Sequence, residues 1–139
     1  MDVRPSDLLF VYGTLMPGHL RWPMLAGRAT AWGEVSVPGQ LWDTGAGWPA
    51  ARFGDARTDP GRAELVPGWW VRLRPVDLAR ALPSLDEMEG IGDPPDPAVD
   101  PYARVAVEVT DVGVAWAYHA TRVEPGWRRI DRWEGFAEA

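Results

Sequence analysis

Two short stretches hold the residues best suited to chemistry: VYGTLMPG, Val11 to Gly18, and LDEMEG, Leu85 to Gly90. Leu8 to Tyr12 reads as a strand that runs into Gly13, a residue able to take φ > 0 or to let a ligand approach the backbone. A strand broken at a glycine presents consecutive N–H groups in one direction, which suits a carboxylate or a developing oxyanion. The same residues also fit a tight turn at the end of a core strand. In the second stretch the candidate is Glu89. Leu78, Leu82, Leu85 and Glu89 fall at helical spacing on a single face, which puts Glu89 in the last turn of a helix, on its apolar side. Burial and the negative end of the helix dipole both disfavour the ionised form there and raise the pKa. A carboxyl group that titrates closer to neutral pH takes and returns a proton readily, a contribution of about 10²- to 10⁴-fold in rate. If the helix end frays instead, Glu89 points into water. Asp86 and Glu87 are accounted for by the favourable N-terminal end of the same short helix.

The remaining composition removes competing chemistries. The 14 basic residues are all Arg, and there is no Cys and no Lys. A thiolate nucleophile, a Cys-ligated zinc, a Schiff base and a P-loop lysine are therefore excluded. His19 and His119 are far apart and lack ligand-like neighbours, so no metal site is expected. Ser6, Ser36 and Ser84 lie in no nucleophile elbow. A net charge of −6 works against phosphate-backbone binding, which sets nucleic acid aside as a partner. No apolar run is long enough to span a bilayer, and the N-terminus is too polar for a signal peptide. These features lead us to expect one soluble, cytoplasmic domain over residues 1–139, 46% of it hydrophobic and able to bury a core.

The elements that must position the two stretches are mostly short strands. Ala29 to Val37, Gln40 to Asp43 and Trp48 to Phe53 read as strands, separated by Pro38-Gly39 and by Thr44 to Gly47; Arg57 to Gly61 reads as a loop. Ala63 to Arg74 is a half-buried strand, with Trp69, Val71 and Leu73 on one face and Trp70, Arg72 and Arg74 on the other. Val105, Val107 and Val109 alternate, Thr110 to Gly113 turns, and Val114, Trp116 and Tyr118 return as the clearest hairpin. The other face of the return strand is small, Ala115 and Ala117 before His119, and fits a close approach by a ligand or by another element. His19 to Leu25 has the apolar content of one short helical turn before Gly27.

The one substantial helical region is Pro75 to Glu89. Pro75 suits a first helical position, and Pro83 predicts a break. Ser84 to Glu87 has capping-box spacing for a restart, and Gly90 predicts the end. The pattern as a whole implies an α+β fold, a small mostly antiparallel β-barrel with one or two short helices. Of nine Trp, most read as barrel core, with Trp48 and Trp70 as candidates to face a ligand.

VYGTLMPG, PGQLWD (Pro38 to Asp43), WPAAR (Trp48 to Arg52), LDEMEG, Tyr102-Ala103-Arg104 before a valine-rich strand, and Ile130 to Trp133 together resemble the γ-glutamylcyclotransferase-like (AIG2-like) family, in order and over nearly the whole chain. The resemblance implies a small β-barrel with a cavity. It implies that Tyr12, Gly13, Thr14 and Leu15 hold the α-carboxylate of a γ-glutamyl group, that Glu89 is the single acid and base, and that Tyr102 lines the same pocket. The implied reaction cyclises a γ-glutamyl-amine or γ-glutamyl-amino acid to 5-oxoproline and a free amine, with no metal and no cofactor. Glutathione fits less well, since the glutathione-specific relatives have a different glycine-rich loop. Arg21-Trp22 departs from the small or amide residue that family members often carry, which makes the leaving-group side of the pocket unusual. Gly90 to Pro101 reads as a solvated loop or as a lid, and its Asp93, Asp96 and Asp100 lack calcium-loop spacing.

Two other readings accompany this one. A non-catalytic small-ligand binding module on the same barrel suits the Trp content and Arg21-Trp22, and it tolerates Glu89→Gln. A related amide transfer keeps the acid-base group and exchanges the substrate.

Overall fold

The computed structural model describes residues 4–54 and 64–134. In chain order the elements are β1 (Leu8–Val11), α1 (Pro23–Ala26), β2 (Ala29–Pro38), β3 (Gln40–Asp43), β4 (Pro49–Arg52), β5 (Leu65–Leu73), α2 (Pro75–Met88), β6 (Tyr102–Val109), β7 (Gly113–Ala120) and β8 (Arg128–Ile130). The loop expected from Arg57 to Gly61 lies outside the described residues.

β1 is apolar and buried at every position, as a strand with neighbours on both sides and packing on both faces must be. β5 runs antiparallel on one side of it, from Leu8↔Arg72 to Val11↔Trp69, and β7 lies parallel on the other at Leu9↔Trp116. Outside these pair β2 and β6, giving the order β2-β5-β1-β7-β6 in a mixed five-stranded sheet. β4, β3 and β8 make a separate three-stranded antiparallel sheet. The two sheets are tied where the Phe53 N–H donates to His119 Nδ1 at 3.0 Å and Arg52 Nη1 donates to the Ala120 carbonyl at 2.6 Å.

The closed barrel expected from the sequence is not formed among the described residues. β2 and β6 approach each other but share no ladder. Closure needs every edge strand to find a partner along its length; the strands left over have four, four and three residues and pair among themselves. The small face of β7 is the buried one, with Ala115 and Ala117 fully covered while Val114 and Trp116 are half-buried. His119 on that face reaches the smaller sheet, whereas Tyr118 on the other reaches α2. The close approach is therefore made by another element.

α2 also departs from expectation, because it runs unbroken through Pro83. Pro83 and Ala79, the residue whose carbonyl loses its donor, are both exposed, so solvent is within reach of that carbonyl. Leu78 and Leu85, each 1% exposed, anchor the two halves of the helix at about 1.5–3 kcal/mol apiece, enough to offset a proline cost of about 3 kcal/mol. Ser84 caps nothing. The N-cap is Arg74 in an extended conformation, with Pro75 following and Asp77 in the first turn. Only Trp42 and Trp133 among the tryptophans are buried, while Trp22, Trp69, Trp70, Trp116 and Trp127 pack half-buried against the core, so most of the indoles border the core instead of filling it. No helix among the described residues is long and apolar enough to cross a membrane.

Candidate active site

Where β1 ends, the Met16 N–H closes a turn onto the Gly13 carbonyl at 3.0 Å. The N–H groups of Thr14 and Leu15, inside that turn, donate to no backbone carbonyl among the described residues. Gly13 does not adopt a left-handed φ. Its lack of a side chain serves a close approach instead, since a Cβ there would lie 2.8 Å from Pro49 Cγ. Tyr12 is buried, packs edge-on against Phe53 with ring centroids 5.8 Å apart, and donates its hydroxyl to the Tyr118 carbonyl at 2.5 Å.

The other wall is the end of α2. The Gly90 N–H returns to the Glu87 carbonyl and the Ile91 N–H to the Asp86 carbonyl, each at 3.0 Å, while Gly90 takes φ +80°. This paired closure needs a left-handed residue after the C-cap, which glycine supplies at least cost. It fixes the C-cap residue, Glu89, half-buried on the wall of a cavity of about 720 Å³. Tyr12 to Leu15, Tyr102 and Tyr118 line the same cavity, so the structure brings Tyr12, Gly13, Thr14, Leu15, Glu89 and Tyr102 to one place, with Tyr118 beside them.

Burial pushes the Glu89 carboxyl from 4.5 up to about 7; the Arg21 guanidinium pulls it down and the Asp86 carboxylate adds to the rise. Tyr102 is buried, and its hydroxyl has no hydrogen-bond partner among the described residues. Burial and the nearby Glu89 charge push it up to about 12; the Trp48 indole acts in the opposite direction from close by, without reaching hydrogen-bond geometry. An orphaned hydroxyl on a cavity wall awaits a polar ligand or water. Tyr12 is likewise raised well above the ordinary tyrosine value, by burial first and by Glu89 second.

Tyr118 carries no sequence signal that marks it for the site. Its hydroxyl donates to Asp86 Oδ1 at 2.7 Å, and the Arg104 Nε lies 3.1 Å from the same oxygen, with the guanidinium 4.4 Å from the Trp116 ring centroid. Asp86 thus ties α2 to the hairpin; because α2 runs unbroken from Pro75 to Met88, Asp86 and Glu87 lie in its last turn and not at the helix N-terminus expected from the sequence. Arg122, Glu124 and Trp127 also reach the cavity from the segment after β7, where no sequence pattern marked them. Trp48 lines the cavity as expected. Trp70 does not; its indole sits against Gly33 and carries Arg72 at 5.7 Å.

The segment after Glu89 is held by its own hydrogen bonds. The Asp96 N–H donates to Asp100 Oδ2 at 2.8 Å, the Ala98 N–H to Asp96 Oδ1 at 3.1 Å, and the Thr121 hydroxyl to the Asp100 carbonyl at 2.7 Å. Asp100 is buried, serving this turn network.

Comparison with known proteins places the chain in a family and shows structures of similar fold. The family model described as gamma-glutamyl cyclotransferase, AIG2-like, matches residues 9–135. No curated protein matches. Among solved structures, the uncharacterized protein PH0828 of Pyrococcus horikoshii superposes with a TM-score of 0.59 at 20% identity, covering 91% of this chain and 86% of that one. YkqA of Bacillus subtilis gives 0.60 at 23% identity, covering 93% of this chain and 40% of that one. The allophanate hydrolase of Kluyveromyces lactis gives 0.60 at 14% identity, covering 95% of this chain but 20% of that one. At these identities the likeness is one of fold.

Proposed function

The chain belongs to the gamma-glutamyl cyclotransferase, AIG2-like family, and we propose that it cyclises a γ-glutamyl-amine or γ-glutamyl-amino acid, releasing 5-oxoproline and the free amine, with Glu89 as acid and base. The observation that carries this reading is the juxtaposition of a half-buried carboxyl group with the turn N–H groups of Thr14 and Leu15 across one cavity. The turn receives the substrate α-carboxylate, and Tyr102 offers its unpartnered hydroxyl to the same ligand.

The α-amine, entering as its free base, attacks the γ-carbonyl carbon of its own chain. A nitrogen–carbon bond forms, the amide bond to the leaving nitrogen breaks, and one proton must pass from the attacking to the leaving nitrogen. Glu89 takes that proton and returns it. Because the nucleophile is tethered, the protein's task is to hold a folded conformer and to place donors where the oxyanion develops. The reaction as written balances without a redox partner or a covalent enzyme intermediate.

The test is a mass-spectrometric assay for 5-oxoproline over a panel of γ-glutamyl-amines, γ-glutamyl dipeptides and glutathione. Product is expected from at least one panel member. Its rate should rise with pH through about 7 as Glu89 ionises, and Glu89→Gln should lower it by at least about 10²-fold. Binding without turnover of any member would instead establish a ligand-binding module.

A further inference from the structure

The rim of the cavity holds two arginines in different states. Arg122 is occupied: Nη1 donates to the Thr121 hydroxyl at 2.9 Å and the Asp100 carbonyl at 3.4 Å, Nη2 donates to the Val99 carbonyl at 3.3 Å, and Nε stands 4.0 Å from Glu124. Arg21 has no such set. Its backbone N–H donates to the Thr14 carbonyl at 2.7 Å, which fixes it beside the β1 turn, while Nη1 rests on the Met88 sulfur at 2.9 Å. A thioether is a weak acceptor. Among the described residues no carboxylate lies within ion-pair distance of this guanidinium, though it lines the cavity.

The placement along the reaction path is informative. Met88 is the residue before Glu89, so Arg21 spans the cavity from the turn to the neighbour of the acid-base group. The leaving nitrogen must come to Glu89 to receive its proton. In an α-amino acid or peptide leaving group, a carboxylate or carbonyl lies one carbon from that nitrogen, which brings it to the part of the wall that Arg21 shares with Glu89. A second cation there, such as the distal ammonium of a polyamine, meets Arg21 with like charge. The nearby apolar rim, Leu20, Trp48 and Trp127, suits a hydrocarbon or aromatic side chain beside the carboxylate.

Resting on the cyclisation reading above, we infer that Arg21 is a specificity-determining residue that receives an anionic group of the leaving amine and selects against cationic and uncharged amines. A charge-assisted bond to a carboxylate, at an exposed position, corresponds to about tenfold in affinity.

The experiment compares γ-glutamyl-leucine, γ-glutamyl-leucinamide and γ-glutamyl-putrescine in the wild-type protein, Arg21→Met and Arg21→Lys. Ratios of kcat/KM between substrates within one protein cancel any effect of Arg21 on Glu89. The expected result is a preference of about tenfold for γ-glutamyl-leucine over its amide, expressed in KM, which falls to within about twofold in Arg21→Met and returns in part in Arg21→Lys. An unchanged ratio in Arg21→Met overturns the assignment. So does an equal loss on the acid and the amide, because Arg21 would then hold the carboxylate common to both. If no compound turns over, the cyclisation reading fails on its own, and dissociation constants from calorimetry supply the ratios: collapse in Arg21→Met supports the assignment, whereas a persistent ratio or no binding overturns it.

Discussion

The cavity has two halves built on different principles. Its inner half is made of Tyr12, Tyr102, Tyr118 and the end of α2, with the tyrosines 5–7% exposed and two of their hydroxyls committed to Tyr118 O and Asp86. Its outer rim is made of Leu20, Arg21, Trp48 and Arg122, exposed side chains that all stand outside the helices and strands. The inner parts meet across large sequence separations and are over-determined by packing, whereas on the rim only Arg122 is tied to its neighbours by several hydrogen bonds, and Leu20 and Arg21 can change with little effect on theirs. In the cyclisation proposed above, proton transfer and oxyanion stabilisation need fixed geometry, which the inner half would supply. Selection of the leaving group needs only a few adjustable contacts, which loops on a rigid frame supply.

The contrast is broken most severely at Gly13. A methyl group there would meet Pro49 Cγ at 2.8 Å and Cδ at 2.9 Å, so Gly13→Ala must shift the turn or the start of β4. A loss of about 100-fold in kcat/KM is expected with every substrate; steady-state kinetics showing a loss confined to one leaving group would place the turn with the rim.

A second prediction concerns the charge inside. With a folded pKa near 7 against 4.5 for the free group, the native state keeps a proton on Glu89 that the unfolded chain releases. The contribution to stability is complete below about pH 4.5 and is lost as pH rises through about 7. Glu89→Gln, neutral at all pH, should therefore exceed the wild-type protein in stability at about pH 8.5 by on the order of 2–3 kcal/mol, and nearly match it at about pH 4.5. Denaturant titrations at the two pH values check this, and equal differences at both would mean that the carboxyl is solvated.

The smallest effect belongs to the rim. Leu20 is 78% exposed, and Leu20→Ser should change stability by no more than about 0.5 kcal/mol. A few-fold rise in KM is expected with apolar leaving groups. A cooperative loss of several degrees in melting temperature would show that the rim supports the core.

Much of the inner half was legible in the sequence because its signals are local. A strand ending at Gly13, an apolar helical face carrying Glu89, and Gly90 as terminator each follow from periodicity and backbone freedom within a few residues. Pro83 misled for the same reason: its cost is local, while the burial of Leu78 and Leu85 that offsets it is tertiary. The sequence marks Tyr118 only as a hairpin residue, since alternation assigns it a face but not the Asp86 that meets it. The tryptophans gave no guide to the core, because an indole half-covered by a neighbour has the same sequence signature as one fully enclosed.

By itself, then, the sequence determined the family, the turn after β1 and the carboxyl group at a helix end. The tertiary structure decided that the strands divide into two sheets without closing a barrel, that Arg21 crosses to Met88 over a separation of 67 residues, and that Tyr12 meets Tyr118 over 106. The physical reason is that backbone dihedral preference and hydrophobic period act over a few residues, whereas strand pairing and side-chain partnership depend on which distant surfaces are brought together when the core is buried.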